Sequence, residues 1–215
     1  MKTAVIIPIK SKSTRVPGKN FKKINGKPLF EYTLDKVKKC NFDEIYVDTD
    51  SKLIKRYCNK KKINIIHRLK SLSKDSANGN DLLNYHLKLI DSDIYFQLFI
   101  TAPLLKVSTI NNCIKILKEN KKYDSILTSK SIYSWFWFNK KPVNYRPDIL
   151  PRSQDAKPIV QETTGLYGVR KRALKKYKCR IGKKPFFYEV SEKEVIDLDT
   201  KNDIEHLKKL MKLNK

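Results

Sequence analysis

The chain has 215 residues, 40% of them hydrophobic and 10% aromatic, with 47 Lys and Arg against 22 Asp and Glu for a formal charge of +25. That length suits one domain spanning 1–215 with a full apolar core, and the composition excludes a disordered chain. The charge raises a nucleic-acid role, but it is spread along the chain and only eight of the cations are Arg, whereas duplex readers concentrate Arg on one element; nucleic acid is therefore not an expected partner.

Thr3–Ile9 is a short β-branched apolar run, which predicts a strand buried on both faces. Pro8, Lys10 and Lys12 cut it too short for the roughly 7–15-residue core of a secretory leader, and no run approaches the ~18 apolar residues of a membrane span. Phe30, Leu34 and Val37 repeat at helical spacing, with Pro28 suited to the first turn. Glu44–Val47 reads as a strand ending in Asp48-Thr49-Asp50, followed by a basic helix through Lys60 and a strand over Ile63–His67. Leu82, Leu83, His86, Leu87 and Ile90 mark a helix; Ile94–Ile100 is an apolar strand; Val107, Ile110, Ile114 and Leu117 give a further helix, and Ser125–Thr128 a strand. From Ser131 to Pro158 the alternation breaks, with consecutive aromatics Trp135–Phe138 and four prolines, which reads either as a buried strand plus loop or as an arm that packs on a second subunit. Order returns with Gly165–Val169, Phe186–Val190 and a last helix carrying Ile204, Leu207 and Met211. Strands alternating with helices of this length predict βαβ units and a mostly parallel sheet. Cys40, Cys58, Cys113 and Cys179 stand far apart with no C-x-x-C pair, so reduced thiols in a cytoplasmic chain are expected instead of zinc or disulfides.

Chemistry belongs where such strands hand over to helices. Lys10–Asn20 puts Lys10, Lys12, Arg15 and Lys19 with Ser11, Ser13 and Thr14 on one such loop. Cations and backbone amides there suit a triphosphate. The loop lacks Walker A spacing, and alone it reads equally as a solvated basic turn. Asp197-Leu198-Asp199, if extended, aims both carboxylates one way while Leu198 packs inward. Paired carboxylates suit Mg²⁺ shared with substrate phosphates. The competing reading is that Asp199 or Thr200 caps the last helix, and Asp48-Thr49-Asp50 has the same spacing. Of the three histidines, His86 fits an apolar helix face as a core residue, His67 ends a strand, and His206 lies on the solvated last helix.

Taken in order, these stretches resemble the acylneuraminate cytidylyltransferase (CMP-sialic acid synthetase) family. Ile9–Asn20 parallels the family's A-R-x-G-S-K-R-[IL]-P-G-K-N, and Gly26-Lys27-Pro28-Leu29 its G-K-P-L. Tyr46–Ser51 parallels V-S-T-D-S, His67-Arg68 and Asp75-Ser76-Ala77 the R-P and D-T-[AS]-S segments, and Thr101-Ala102-Pro103-Leu104 T-S-P-L. Arg152–Asp155 resembles R-x-Q-D, Thr164–Tyr167 N-G-A-Y, and Ile196–Thr200 I-D-[IL]-D-T.

The resemblance implies a Rossmann-like nucleotidyltransferase fold, with helices on both faces of the sheet and a small dimerisation arm at about 131–160, hence a homodimer. It implies CTP and an acidic 2-keto-3-deoxy sugar as substrates, Mg²⁺ as cofactor, and CMP-sugar and pyrophosphate as products. Lys10, Ser11, Ser13, Arg15 and Lys19 would hold the phosphates, with Asn20 fixing the loop or touching the nucleotide. Arg68, Ala77 and Gly79 would contact cytosine and ribose. Asp197 and Asp199 would carry the metal and, with Lys19, the catalysis; Thr101, Arg152, Gln154 and Tyr167 would lie by the sugar. The chain departs from the family at Lys10 (Arg), Thr14 (Lys), Phe99-Ile100 (Q-P) and Leu105 (Arg). Lys for Arg exchanges a bidentate fork for a point charge. The competing functions are transfer to a 3-deoxy-octulosonate-type sugar, a glycosyltransferase using D-x-D, and an inactive basic binding module.

Overall fold

In the computed structural model, which describes residues 1–212, the chain runs β1 (Thr3–Pro8), a two-residue hairpin of β2 (Lys23–Ile24) and β3 (Lys27–Pro28), α1 (Leu29–Val37), β4 (Glu44–Thr49), α2 (Lys52–Lys61), β5 (Asn64–His67), α3 (Gly79–Leu89) and β6 (Ile94–Leu98). It continues through α4 (Val107–Glu119), β7 (Ser125–Ile132), a second small hairpin of β8 (Trp137–Phe138) and β9 (Lys141–Pro142), β10 (Ile159–Arg170), α5 (Lys171–Tyr177), β11 (Pro185–Glu189) and α6 (Lys201–Lys212).

The central sheet has the order β11-β7-β10-β6-β1-β4-β5. Every pairing in it is parallel except those of β10, which runs against both β6 and β7. Side chains of β1 alternate between two cores. Val5 and Ile7 join Phe30 and Leu34 of α1, Ile54 of α2 and Ile110 of α4 on one face. Ala4 and Ile6 join Leu83 of α3 and Leu174 of α5 on the other. A strand covered on both faces has no polar side to show, which is why β1 reads as an unbroken apolar run. No helix among the described residues is long and apolar enough to cross a membrane.

The elements legible in the sequence sit where the periodicity puts them, with informative exceptions. Pro28 stands one position earlier than expected, at the α1 N-cap. α5 was not anticipated, since its apolar signal is confined to Ala173, Leu174 and Tyr177. β7 and β10 extend well beyond the apolar cores that announced them. Their outer ends pair as a polar ribbon, Ser131 with Val160 and Ser129 with Glu162, where backbone hydrogen bonding does not require an apolar repeat. The Trp135–Phe138 run is not a buried strand: Trp137 and Phe138 are 56% and 71% exposed. They form a minimal hairpin whose turn residues, Asn139 and Lys140, both have positive φ.

The topology also locates the functional region. β1 connects outward through β4 to β5, and the chain then crosses back through α3 to lay β6 on the other side of β1. This reversal opens a crevice beyond the carboxyl end of β1, the place where open α/β sheets bind ligands.

Candidate active site

The loop leaving β1 is fixed before any ligand arrives. Gly18 adopts φ +69, which a side chain would disfavour, and the Lys19 amide donates to the Val16 carbonyl at 3.0 Å to close the turn. Asn20 Nδ2 donates to the Lys10 carbonyl at 2.8 Å, tying the two ends of the loop together. Ser11 donates from its amide (2.6 Å) and its hydroxyl (2.7 Å) to Asp50. Burial pushes the Asp50 carboxyl up, but the two Ser11 bonds, with Asp50's own amide and the Arg68 charge, together hold the group below its usual value. Ser11 is thus a strut onto the end of β4, and it does not line the cleft, unlike Lys10, Ser13, Arg15, Lys19 and Asn20.

The opposite lip comes from the far end of the chain. The Leu198 amide donates to the Thr101 carbonyl at 2.9 Å, and the Leu198 side chain is fully buried against Val16, Ile24, Leu29, Ile204 and Leu207. With Leu198 buried, both neighbouring aspartates line the cleft. The α6 cap is built by Thr200 and Asp203: Asp203 accepts from the amides of Asp199 and Thr200, and its own amide donates to Thr200 Oγ1. The Asp199 side chain is therefore not the cap. It meets Arg15 at 2.5 Å and Lys19 Nζ at 3.4 Å, and Lys19 also donates to the Leu198 carbonyl. Lys19 is buried, whereas the Arg15 side chain is 71% and that of Asp199 43% exposed. An ion pair so open contributes at most about 1 kcal/mol, so Arg15 can exchange it for a ligand phosphate at little cost.

The cleft between these lips has a volume of about 520 Å³. Arg68, Ala77, Gly79 and Thr101 also line it. Arg68 is held from below: its Nε donates to Asp48 Oδ1 at 2.9 Å and its Nη2 to the Asp48 carbonyl at 3.2 Å, while His86 Nε2 lies 2.8 Å from Asp48 Oδ2. Asp48 and His86 are fully buried, so Asp48-Thr49-Asp50 spends one carboxylate beneath the cleft and the other on Ser11. Across the mouth, Lys10 bridges to Asp75 at 2.6 Å, and this bond holds the Asp75 carboxyl below its usual value.

Three residues placed near a sugar by the sequence do not line this cleft. Tyr167 is buried, its hydroxyl donating to Glu162 at 2.8 Å, and Arg180 covers its ring. Arg152 and Gln154 are exposed at a short turn. Sequence reasoning gave Arg180, Asp75 and Thr164 no role in the cleft that they line. Arg180 is one Arg within a lysine-rich stretch between α5 and β11, with no spacing to distinguish it, and only folding brings that loop to the cleft.

Among the described residues no group of three or more His, Cys, Asp or Glu gathers to hold a metal by itself. The donor set that remains is the Asp197–Asp199 couple. Thr164 Oγ1 donates to Asp197 Oδ2, while Asp197 Oδ1 is buried with no hydrogen-bond partner among the described residues. A shielded bare carboxylate oxygen is costly, and the pair fits a hard divalent cation that takes its other oxygens from phosphates.

A family profile described as cytidylyltransferase matches residues 4–215. The chain is 27% identical to an N-acylneuraminate cytidylyltransferase of Streptococcus agalactiae over 96% of its own length and 52% of that protein's, so it spans about half the length of such relatives. It is 24% identical to a 3-deoxy-manno-octulosonate cytidylyltransferase of Chloroherpeton thalassium, over 82% of this chain and 77% of that one. Its fold superposes on a CMP:2-keto-3-deoxy-manno-octonic acid synthetase complexed with CTP at a TM-score of 0.76 and 18% identity, covering 100% of both chains. A 4-diphosphocytidyl-2C-methyl-D-erythritol synthase from Anaerococcus prevotii shares it at a TM-score of 0.68 and 16% identity, over 98% of each chain.

Proposed function

The chain belongs to the cytidylyltransferase family, and from that premise we propose that it transfers CMP from CTP to an acidic 2-keto-3-deoxy sugar, releasing pyrophosphate. The observation that carries this reading is the meeting of Lys19 and Arg15, from the loop after β1, with Asp199, from the other end of the chain, at 3.4 and 2.5 Å beside the switch point of the sheet.

Lys10, Ser13, Arg15 and Lys19 bind the triphosphate, and Asn20 holds their loop in shape. Arg68, steered by Asp48, and the Ala77–Gly79 turn bind the nucleoside. Asp197 and Asp199 hold Mg²⁺, which supplies charge neutralisation at the phosphates when bound. The sugar's anomeric hydroxyl then attacks the α-phosphorus in line: the C–O–P bond forms, the bond to the β-phosphate oxygen breaks, and the hydroxyl proton goes to solvent or a phosphate oxygen. The protein contributes position and charge, not covalent chemistry. Both N-acylneuraminate and 3-deoxy-manno-octulosonate relatives match the chain, and the two sugars share the reacting 2-keto-3-deoxy acid end.

The aromatic hairpin supports a homodimer. Trp137, Phe138, Ile149 and Leu150 are each more than half exposed, apolar surface better covered by a second copy than left in water. Arg152 and Gln154, exposed outside their own cleft, serve the sugar end of the partner's cleft.

The test is pyrophosphate release from CTP and Mg²⁺ with N-acetylneuraminate or 3-deoxy-manno-octulosonate. Turnover with either supports the reading and names the sugar type. No release with either, together with salt-sensitive RNA binding, would instead favour a basic binding module.

A further inference from the structure

Arg180 is the half-buried cleft cation whose charge the fold leaves unanswered. Lys10 is paired with Asp75, Arg15 and Lys19 with Asp199, and Arg68 with Asp48. Lys74 is exposed, where water solvates an ammonium well. Among the described residues no carboxylate pairs with the Arg180 guanidinium. It lies 3.6 Å from the Tyr167 ring centroid and 5.8 Å from that of Phe99, surfaces that hold it by cation–π attraction while excluding water. Its backbone amide donates to Asn80 Oδ1 at 2.9 Å. Its Nη1 presses on the bare Cα of Gly79, where an added Cβ would come within 2.7 Å. The first residues of α3 are thus its anchor, while their own amides and dipole are already answered by Asn78 and Asp81. A half-buried guanidinium on apolar walls, with no carboxylate partner among the described residues, calls for an anion.

The triphosphate is not that anion. Its cations already stand on the loop after β1, whereas Arg180 backs onto Phe99, just past the end of β6, and onto Tyr167, which pairs with Gln97 within β10. A planar guanidinium with its fork free matches a carboxylate in bidentate fashion.

We propose that Arg180 receives the carboxylate of the acidic sugar and so selects sugar acids over neutral sugars. The inference rests on the cytidylyl-transfer reading but names a residue that reading does not require.

The test uses the full chain, its Arg180→Gln and Arg180→Lys variants, CTP, and either acid above or its methyl ester. Arg180→Gln is expected to raise the KM for the acid about 10–100-fold, the loss of a charge-assisted hydrogen bond, while the KM for CTP stays within about twofold. Arg180→Lys should fall between, since charge survives without the fork. The unaltered chain should lose a similar factor on the ester, to which Arg180→Gln is indifferent. An unmoved acid KM, a rise in the CTP KM instead, or equal use of acid and ester by the unaltered chain would each overturn the assignment while leaving transfer intact. If the unaltered chain releases no pyrophosphate, the transfer reading fails, and calorimetry of its CTP complex decides Arg180 separately: preference for acid over ester, lost in Arg180→Gln, supports the assignment, and equal or absent binding overturns it.

Discussion

Lys36 shows what a residue's charge can cost the fold. Half-buried on α1, it donates to the Pro103 carbonyl at 2.6 Å, yet burial lowers its pKa from 10.5 to about 8. The folded value lies below the unfolded one, so between about pH 8 and 10.5 the unfolded chain holds the extra proton and stability rises with pH. That contribution is complete above the unfolded value and is lost as pH falls through about 8. Lys36→Met should remove this slope: the difference between its urea midpoint and that of the unaltered chain is expected to shift toward the unaltered chain as pH rises from 7 to 10. At the cleft, Asp199→Asn keeps the shape and removes the charge, so kcat should fall about 10²–10³-fold. Lys19→Ala should weaken CTP binding about 10–100-fold, read by calorimetry.

At the scale of elements, the acidic couple depends on the packing of one leucine. The segment before α6 belongs to no strand, and its position comes from the Leu198 side chain in the cluster with Val16, Leu29 and Ile204 and from one backbone bond to Thr101. Leu198→Ala should therefore do two things at once. It should cost about 2–5 kcal/mol by denaturant titration, as for other fully buried leucines. It should also lower kcat at saturating CTP, because Asp197 and Asp199 lose their fixed aim. β10 plays a comparable part: running against its neighbours, it places Thr164 beside Asp197 and Tyr167 under Arg180.

For the whole molecule, the +25 charge and the aromatic hairpin make separate predictions. A diffuse positive field attracts anionic substrates from a distance and is screened by salt. kcat/KM for CTP should accordingly fall between about 50 and 500 mM NaCl while kcat changes less. If the hairpin joins two copies, sedimentation should give about twice the 25.2 kDa chain mass. Trp137→Glu should shift the protein toward monomer without lowering its CTP affinity.

The doubly covered sheet was legible in the sequence because burial on both faces writes itself as unbroken apolar runs such as Thr3–Ile9, and covering helices as repeats such as Phe30, Leu34 and Val37. The cleft loop after β1 was legible because cations, hydroxyls and Gly18 are crowded into one short span. Other features depend on contacts between residues distant in the chain. The partner of Asp199 lies 180 residues away, and Arg180 reaches the cleft only through folding of the loop before β11. Which of two equal D-x-D spacings faces the cleft was likewise decided in space: Asp48 is sealed under Arg68 and His86, while burial of Leu198 leaves Asp197 and Asp199 lining it. Periodicity records how each residue meets its own sheet or helix. Pairing between distant charges follows from how those elements stack, and local spacing carries no trace of it.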